Sequence, residues 1–99
     1  MTDYHATLGR HRRLAILRFL SSLSTLTSNV SILTDVLNGA DVGVDTSRDQ
    51  TATELAWLAE NGFVTLSGPQ DFLVAKATPR GIDIGLGRAS HPGIQRRST

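Results

Sequence analysis

Along the chain, stretches whose apolar positions recur at helical spacing give way to two short runs of β-formers, with turn residues between them. In residues 7–23, Leu14, Leu17 and Leu20 form one stripe, and Ile16, Phe19 and Leu23 form a second beside it, which predicts a helix. Wound as a helix, these six positions cover more than half of its circumference. A helix resting one face on a small core needs less, so this one is either central to the domain or shared with a partner subunit. Residues 21–31 are rich in Ser and Thr, with only Leu23, Leu26 and Val30 apolar, and read as a connection. Ser28 is the expected N-cap of a second helix over residues 29–38, with Val30, Leu33, Val36 and Leu37 inward and Ile32 alongside. Asn38-Gly39 offers a left-handed C-cap.

Residues 40–46 form a turn, with Val42 and Val44 dipping inward. Thr46 or Ser47 then caps a third helix to about Asn61, with Asp49 in the first turn, where the helix dipole favours it. Its expected core stripe is Ala52, Leu55, Ala56 and Ala59, with Leu58 at the margin, and Gly62 ends it. Residues 63–66 and 72–77 are two short strands, and Ser67-Gly68-Pro69-Gln70-Asp71 between them makes a hairpin. Thr78-Pro79 opens a fourth helix to about Gly87. The division is a domain over residues 1–87 and a basic C-terminal tail over residues 88–99, ordered only if something holds it.

Three helices, a hairpin and a closing helix is the order of a winged helix-turn-helix domain, mainly α with a small β-hairpin. The stretch Glu54-Leu55-Ala56-Trp57-Leu58-Ala59-Glu60-Asn61-Gly62-Phe63-Val64 resembles the end of the recognition helix in winged-helix regulators. Ala77-Thr78-Pro79-Arg80-Gly81 resembles the junction after the wing in MarR-like and PadR-like proteins, with Ala77 where leucine is usual. More narrowly, residues 10–98 are similar to small winged-helix proteins of Mu-like phages and prophages, within the ArsR/MarR-like superfamily. Arg13-Leu14-Ala15-Ile16-Leu17-Arg18, Asp45-Thr46-Ser47-Arg48-Asp49, Gly87-Arg88-Ala89 and Pro92-Gly93-Ile94-Gln95-Arg96 carry that likeness.

The 99 residues suffice for one domain. At 39% hydrophobic residues the chain reads as an ordinary globular one. No apolar run approaches the roughly 18 residues of a membrane-spanning helix, and the polar start does not resemble a signal peptide, so a cytoplasmic protein without membrane contact is expected. The absence of cysteine excludes disulfides and thiolate zinc sites. Charge changes the picture more. Residues 1–18 carry four arginines against Asp3, net +3; residues 19–75 carry Arg48 against seven acids, net −6; residues 76–99 carry five cations against Asp83, net +4.

The family resemblance implies a transcriptional regulator that binds duplex DNA as a homodimer, with the third helix in the major groove. Ser47, Arg48, Gln50 and Thr53 are then the groove-facing residues, and Glu54, Trp57 and Asn61 also fall on the outer face. That helix is net acidic, and DNA affinity comes chiefly from cations, so Arg10, Arg12, Arg13, Arg96 and Arg97 at the basic ends are the expected backbone contacts. The competing reading is an interaction or phage-assembly adaptor that docks a phage or host protein on an acidic third helix, with Phe19 and Trp57 at the interface. Basic ends and an acidic middle also suit head-to-tail self-association. The three histidines lack metal-ligand spacing, so no metal or other cofactor is expected. Gly81-Ile82-Asp83-Ile84-Gly85-Leu86-Gly87 follows no strand in phosphate-loop fashion, and its glycines suit close helix packing instead. No catalytic constellation stands out, and a non-enzyme is expected.

Overall fold

A computed structural model describes residues 3–96. Helix α1 spans Tyr4–Ser22 and starts earlier than its apolar stripe, because the Asp3 side chain caps it by accepting from the His5 amide. Strand β1 (Thr27–Asn29) leads directly into α2 (Val30–Asn38), a turn leads to α3 (Arg48–Glu60), and strands β2 (Val64–Ser67) and β3 (Val74–Ala77) flank a loop holding a 3-10 turn at Gln70–Phe72. Helix α4 covers Pro79–Gly85, capped by Thr78 as its sequence predicts.

The three strands form one antiparallel sheet in the order β1-β3-β2, with Ser28 opposite Ala75 and Leu66 opposite Ala75 from the other side. Four helices and this sheet are compatible with a winged helix-turn-helix. Strand β1 is a correction to the reading of residues 21–31 as a plain connection. Ser28 is drawn into the sheet, so Asn29 caps α2 instead, accepting from the Ile32 amide. Just before it, Leu26 turns the chain at φ 59, an uncommon conformation for leucine. Its side chain packs on the core, and its carbonyl accepts from the Ala77 amide, which holds the turn in place.

The broad apolar surface of α1 is resolved within one chain. The helix contacts α2, α3, α4 and β3, and Ile16, Leu17 and Leu20 are fully buried among them. Gly81 and Gly85 let α4 settle onto α1 and β2's approach, since a Cβ at Gly85 would lie 2.6 Å from the Leu17 carbonyl oxygen. The two C-cap expectations divide. Gly62 takes φ +80 and ends α3 as expected, whereas Gly39 has φ −70. At Gly39 the left-handed residue is not needed, because the Asn38 side chain bridges the turn: it donates to the Thr34 and Thr46 carbonyls and accepts from the Thr46 amide.

Candidate nucleic-acid interface

Helix α3 is rotated from the expected wheel. Its buried residues are Thr51, Glu54, Leu55 and Leu58, while Ala56 is exposed. Burying Leu58 in place of Ala56 removes more apolar surface from water, but it brings Glu54 inward as well. A buried carboxylate needs partners, and α1 supplies two. Arg13 Nε donates to Glu54 Oε1 at 2.9 Å, and Arg12 Nη1 lies 3.8 Å from Glu54 Oε2. Arg12 also donates to Thr46 Oγ1 (3.1 Å) and to the Asp45 carbonyl (3.0 Å), which ties α1 to the turn before α3. Thr34 Oγ1 donates to the fully buried Thr51 Oγ1 at 2.8 Å, locking α2 against α3.

This network corrects the expectation that Arg12 and Arg13 reach out to phosphates. Arg12 is 6% exposed, and both guanidiniums are directed into the fold. It also corrects the placement of Glu54 on the outer face. The signal was present in the sequence: Arg13 stands one helical turn from Ile16 and Leu17, and Glu54 stands among Thr51, Leu55 and Leu58. Charged residues on both apolar stripes can satisfy one another.

The four expected groove residues are all exposed and share the N-terminal half of α3. Ser47 and Gln50 form a capping box, in which Ser47 Oγ accepts from the Gln50 amide and Gln50 Oε1 accepts from the Ser47 amide at 2.8 Å. A bidentate pair with adenine uses both ends of the Gln50 amide, so it requires that cap to open. Thr53 Oγ1 donates to the Asp49 carbonyl. Arg48 donates to Ser31 Oγ on α2 and to the Asp71 carbonyl in the hairpin loop, joining three elements at one point. With Glu54 withdrawn, this half of α3 presents Arg48 against Asp49 and no other charge.

Arg10 and Arg96 are brought together elsewhere. The Gln95 amide donates to the Arg10 carbonyl, and both arginines line a shallow hollow of about 400 Å³. Arg97 lies outside the described residues. Trp57, expected at a partner interface, is covered by its own chain. The Arg13 guanidinium sits 4.1 Å from its ring centroid, Phe63 stacks at 6.3 Å, and His91 meets it edge-on at 5.4 Å. Phe19 is half-buried against the core. The segment 88–96 is held down: Ile94 is buried, and Arg13 Nη1 donates to the Gly93 carbonyl. A Cβ at Gly93 would lie 2.4 Å from Trp57 Cζ2. Gly93→Ala should therefore lift this segment, shift Trp57 emission to the red and cost roughly 1–2 kcal/mol in thermal unfolding. Unchanged emission and stability would contradict the contact.

Sequence reasoning missed a surface feature at the same end of α3. Ile32 (47% exposed) and Phe72 (51%) adjoin Ser31 and Asp71, the residues that Arg48 bridges. Among the described residues no group of three or more His, Cys, Asp or Glu gathers as metal ligands would, and no helix is long and apolar enough to cross a membrane.

The chain is 39% identical to the uncharacterized protein gp26 of Escherichia phage Mu over 89 residues, spanning 90% of each chain. It belongs to the phage Mu gp26 family. A Haemophilus influenzae protein shares 36% identity over 104 aligned positions, covering 98% of both chains. No protein-family profile and no solved structure matches the chain. The gp26 relationship agrees with the resemblance to Mu-like phage proteins, and it covers 90% of the chain.

Proposed function

We propose that this member of the gp26 family is a winged helix-turn-helix protein that binds duplex DNA as a phage or prophage transcriptional regulator, and not an enzyme. In this reading α2 and α3 are the helix-turn-helix pair, and the β2–β3 hairpin is the wing. One observation carries it. The interior ion network removes the Glu54 carboxylate from the outer face of α3, leaving Ser47, Arg48, Gln50 and Thr53 exposed on a half-helix of balanced charge. Arg48, tied to the wing loop, stands where recognition helix and wing meet. Arg10 and Arg96, with Arg97, supply backbone contacts; Arg12 and Arg13 have no part in them. Binding as a homodimer belongs to this proposal, and it does not draw on the apolar stripes of α1, which pack against α2, α3, α4 and β3 of the same chain.

The test is fluorescence anisotropy on duplexes of varied sequence. Arg48→Ala should weaken binding to every duplex and reduce the dependence of log K on log salt by about one unit. Gln50→Ala should shift sequence preference, worth about 1–3 kcal/mol at one base pair. Binding indifferent to both changes would refute the α3 reading.

The exposure of Ile32 and Phe72 beside Arg48 favours a second reading, an adaptor that docks a phage or host protein at this end of α3. Under that reading Phe72→Ala abolishes partner binding, and duplex DNA is not bound at all.

A further inference from the structure

A second hollow, of about 650 Å³, opens between the C-terminal end of α4 and the segment 88–96. We propose that it is a binding site for a small organic anion, a carboxylate or phosphate monoester carrying an apolar body. Its volume falls within the roughly 300–1,000 Å³ typical of small-molecule pockets. Buried Ile84 and Ile94, with part-exposed Leu86, provide an apolar floor. Arg88, Arg96 and His91 stand around it, and among the described residues no carboxylate lines it.

The donors suit an anion. Guanidinium forks match the paired oxygens of carboxylates and phosphates. Among the described residues Arg88 pairs with Asp83 at 3.7 Å, with both side chains more than half exposed. Such a solvated pair contributes little and yields readily to a better-placed anion. His91 Nδ1 accepts from the Gly93 amide at 2.9 Å, which places the proton of the neutral ring on Nε2 as a donor. Both walls are held before any ligand arrives. On one side the Arg88 and Ala89 amides donate to the Asp83 carbonyl and the Gly87 amide to that of Ile84; on the other, the Ile94 amide donates to the His91 carbonyl and the Gln95 amide to that of Arg10. A preformed site loses little freedom on binding. The apolar floor distinguishes this hollow from a seat for phosphate alone; the site shares Arg96 with the DNA-binding reading, whereas Arg88 and the floor of Ile84, Leu86 and Ile94 have no part in that reading.

Phenyl phosphate is the probe, titrated into the full chain without DNA and followed by thermal shift and calorimetry, with inorganic phosphate in parallel. Phenyl phosphate should raise the melting temperature saturably and bind at least about tenfold tighter than inorganic phosphate, as burial of its ring predicts. Replacing both arginines, Arg88→Gln with Arg96→Gln, should weaken it at least about tenfold while leaving the ligand-free melting temperature nearly unchanged, because both side chains are on the surface. Leu86→Asp, at a part-exposed position, should repel the probe as well. Equal affinity for inorganic phosphate, no saturable shift, or binding that survives the double replacement would overturn the proposal. A short duplex that displaces phenyl phosphate while phenyl phosphate binds no better than phosphate would assign the hollow to the DNA backbone and overturn it too.

Discussion

Glu54→Ala should cost about 3–5 kcal/mol, because it leaves two arginines facing the interior without their counter-charge. Arg12 is 6% exposed and keeps only the Thr46 hydroxyl and the Asp45 carbonyl; Arg13 keeps the Gly93 carbonyl and the Trp57 ring. In a domain of this size each kcal/mol moves the midpoint by about 4–8 °C, so thermal unfolding by circular dichroism should show a drop of more than about 12 °C. Glu54→Gln should fall between, since the amide oxygen can still accept from Arg13 Nε without supplying charge. A loss below about 1 kcal/mol for Glu54→Ala would mean that water reaches these guanidiniums and that the network is a surface one. The same geometry changes how arginine variants are read. Arg12→Ala and Arg13→Ala should weaken any DNA binding by destabilising the fold, and their unfolding energies should be strongly non-additive with that of Glu54→Ala.

Gly81→Ala should destabilise by about 3 kcal/mol or more, at the upper end of overpacking costs. In an unconstrained helix the sign is opposite, since alanine is favoured over glycine by about 1 kcal/mol. Here a Cβ would fall 2.0 Å from the Phe63 carbonyl oxygen, with Leu17 Cδ2 also at 3.2 Å. The oxygen cannot swing aside cheaply, because it accepts from the Thr78 amide at 3.0 Å. Helix α4 must retreat from α1 or the β2 junction must open. Thermal unfolding decides it: a variant as stable as the parent would show that α4 does not seat at this distance.

Much of the fold was legible where local chemistry acts alone. Thr78-Pro79 starts α4, Asn61-Gly62 ends α3, and Ser47 with Gln50 three residues on makes a capping box. The glycines of residues 81–87 were legible as packing residues, and Gly81 and Gly85 are. What escaped was decided by distant partners. In strand β1 only Thr27 favours a strand; Ser28 and Asn29 are drawn into it by pairing with the edge of β3. Glu54 looked solvent-facing because a lone carboxylate belongs in water, and only α1 supplies the arginines that reverse this. Trp57 looked like a partner's anchor because its cover, His91 and Gly93, lies more than thirty residues further along. The exposure of Ser47, Arg48, Gln50 and Thr53 was legible because it follows from the period of α3 at its start, whereas the arginines expected at the backbone were sorted by tertiary contacts: Arg10 and Arg96 to a common surface hollow, Arg12 and Arg13 to the interior.

The proposed binding of duplex DNA rests on Arg48 at the charge-balanced N-terminal half of α3 and on Arg10 and Arg96 outside that helix. The most direct test is titration of a fluorescent duplex with the unmodified protein at about 50 and 200 mM salt. Saturable binding is expected at the lower salt and a steep loss at the higher, since each phosphate contact releases counterions. Absence of binding at low salt, or an affinity that salt does not change, would contradict it.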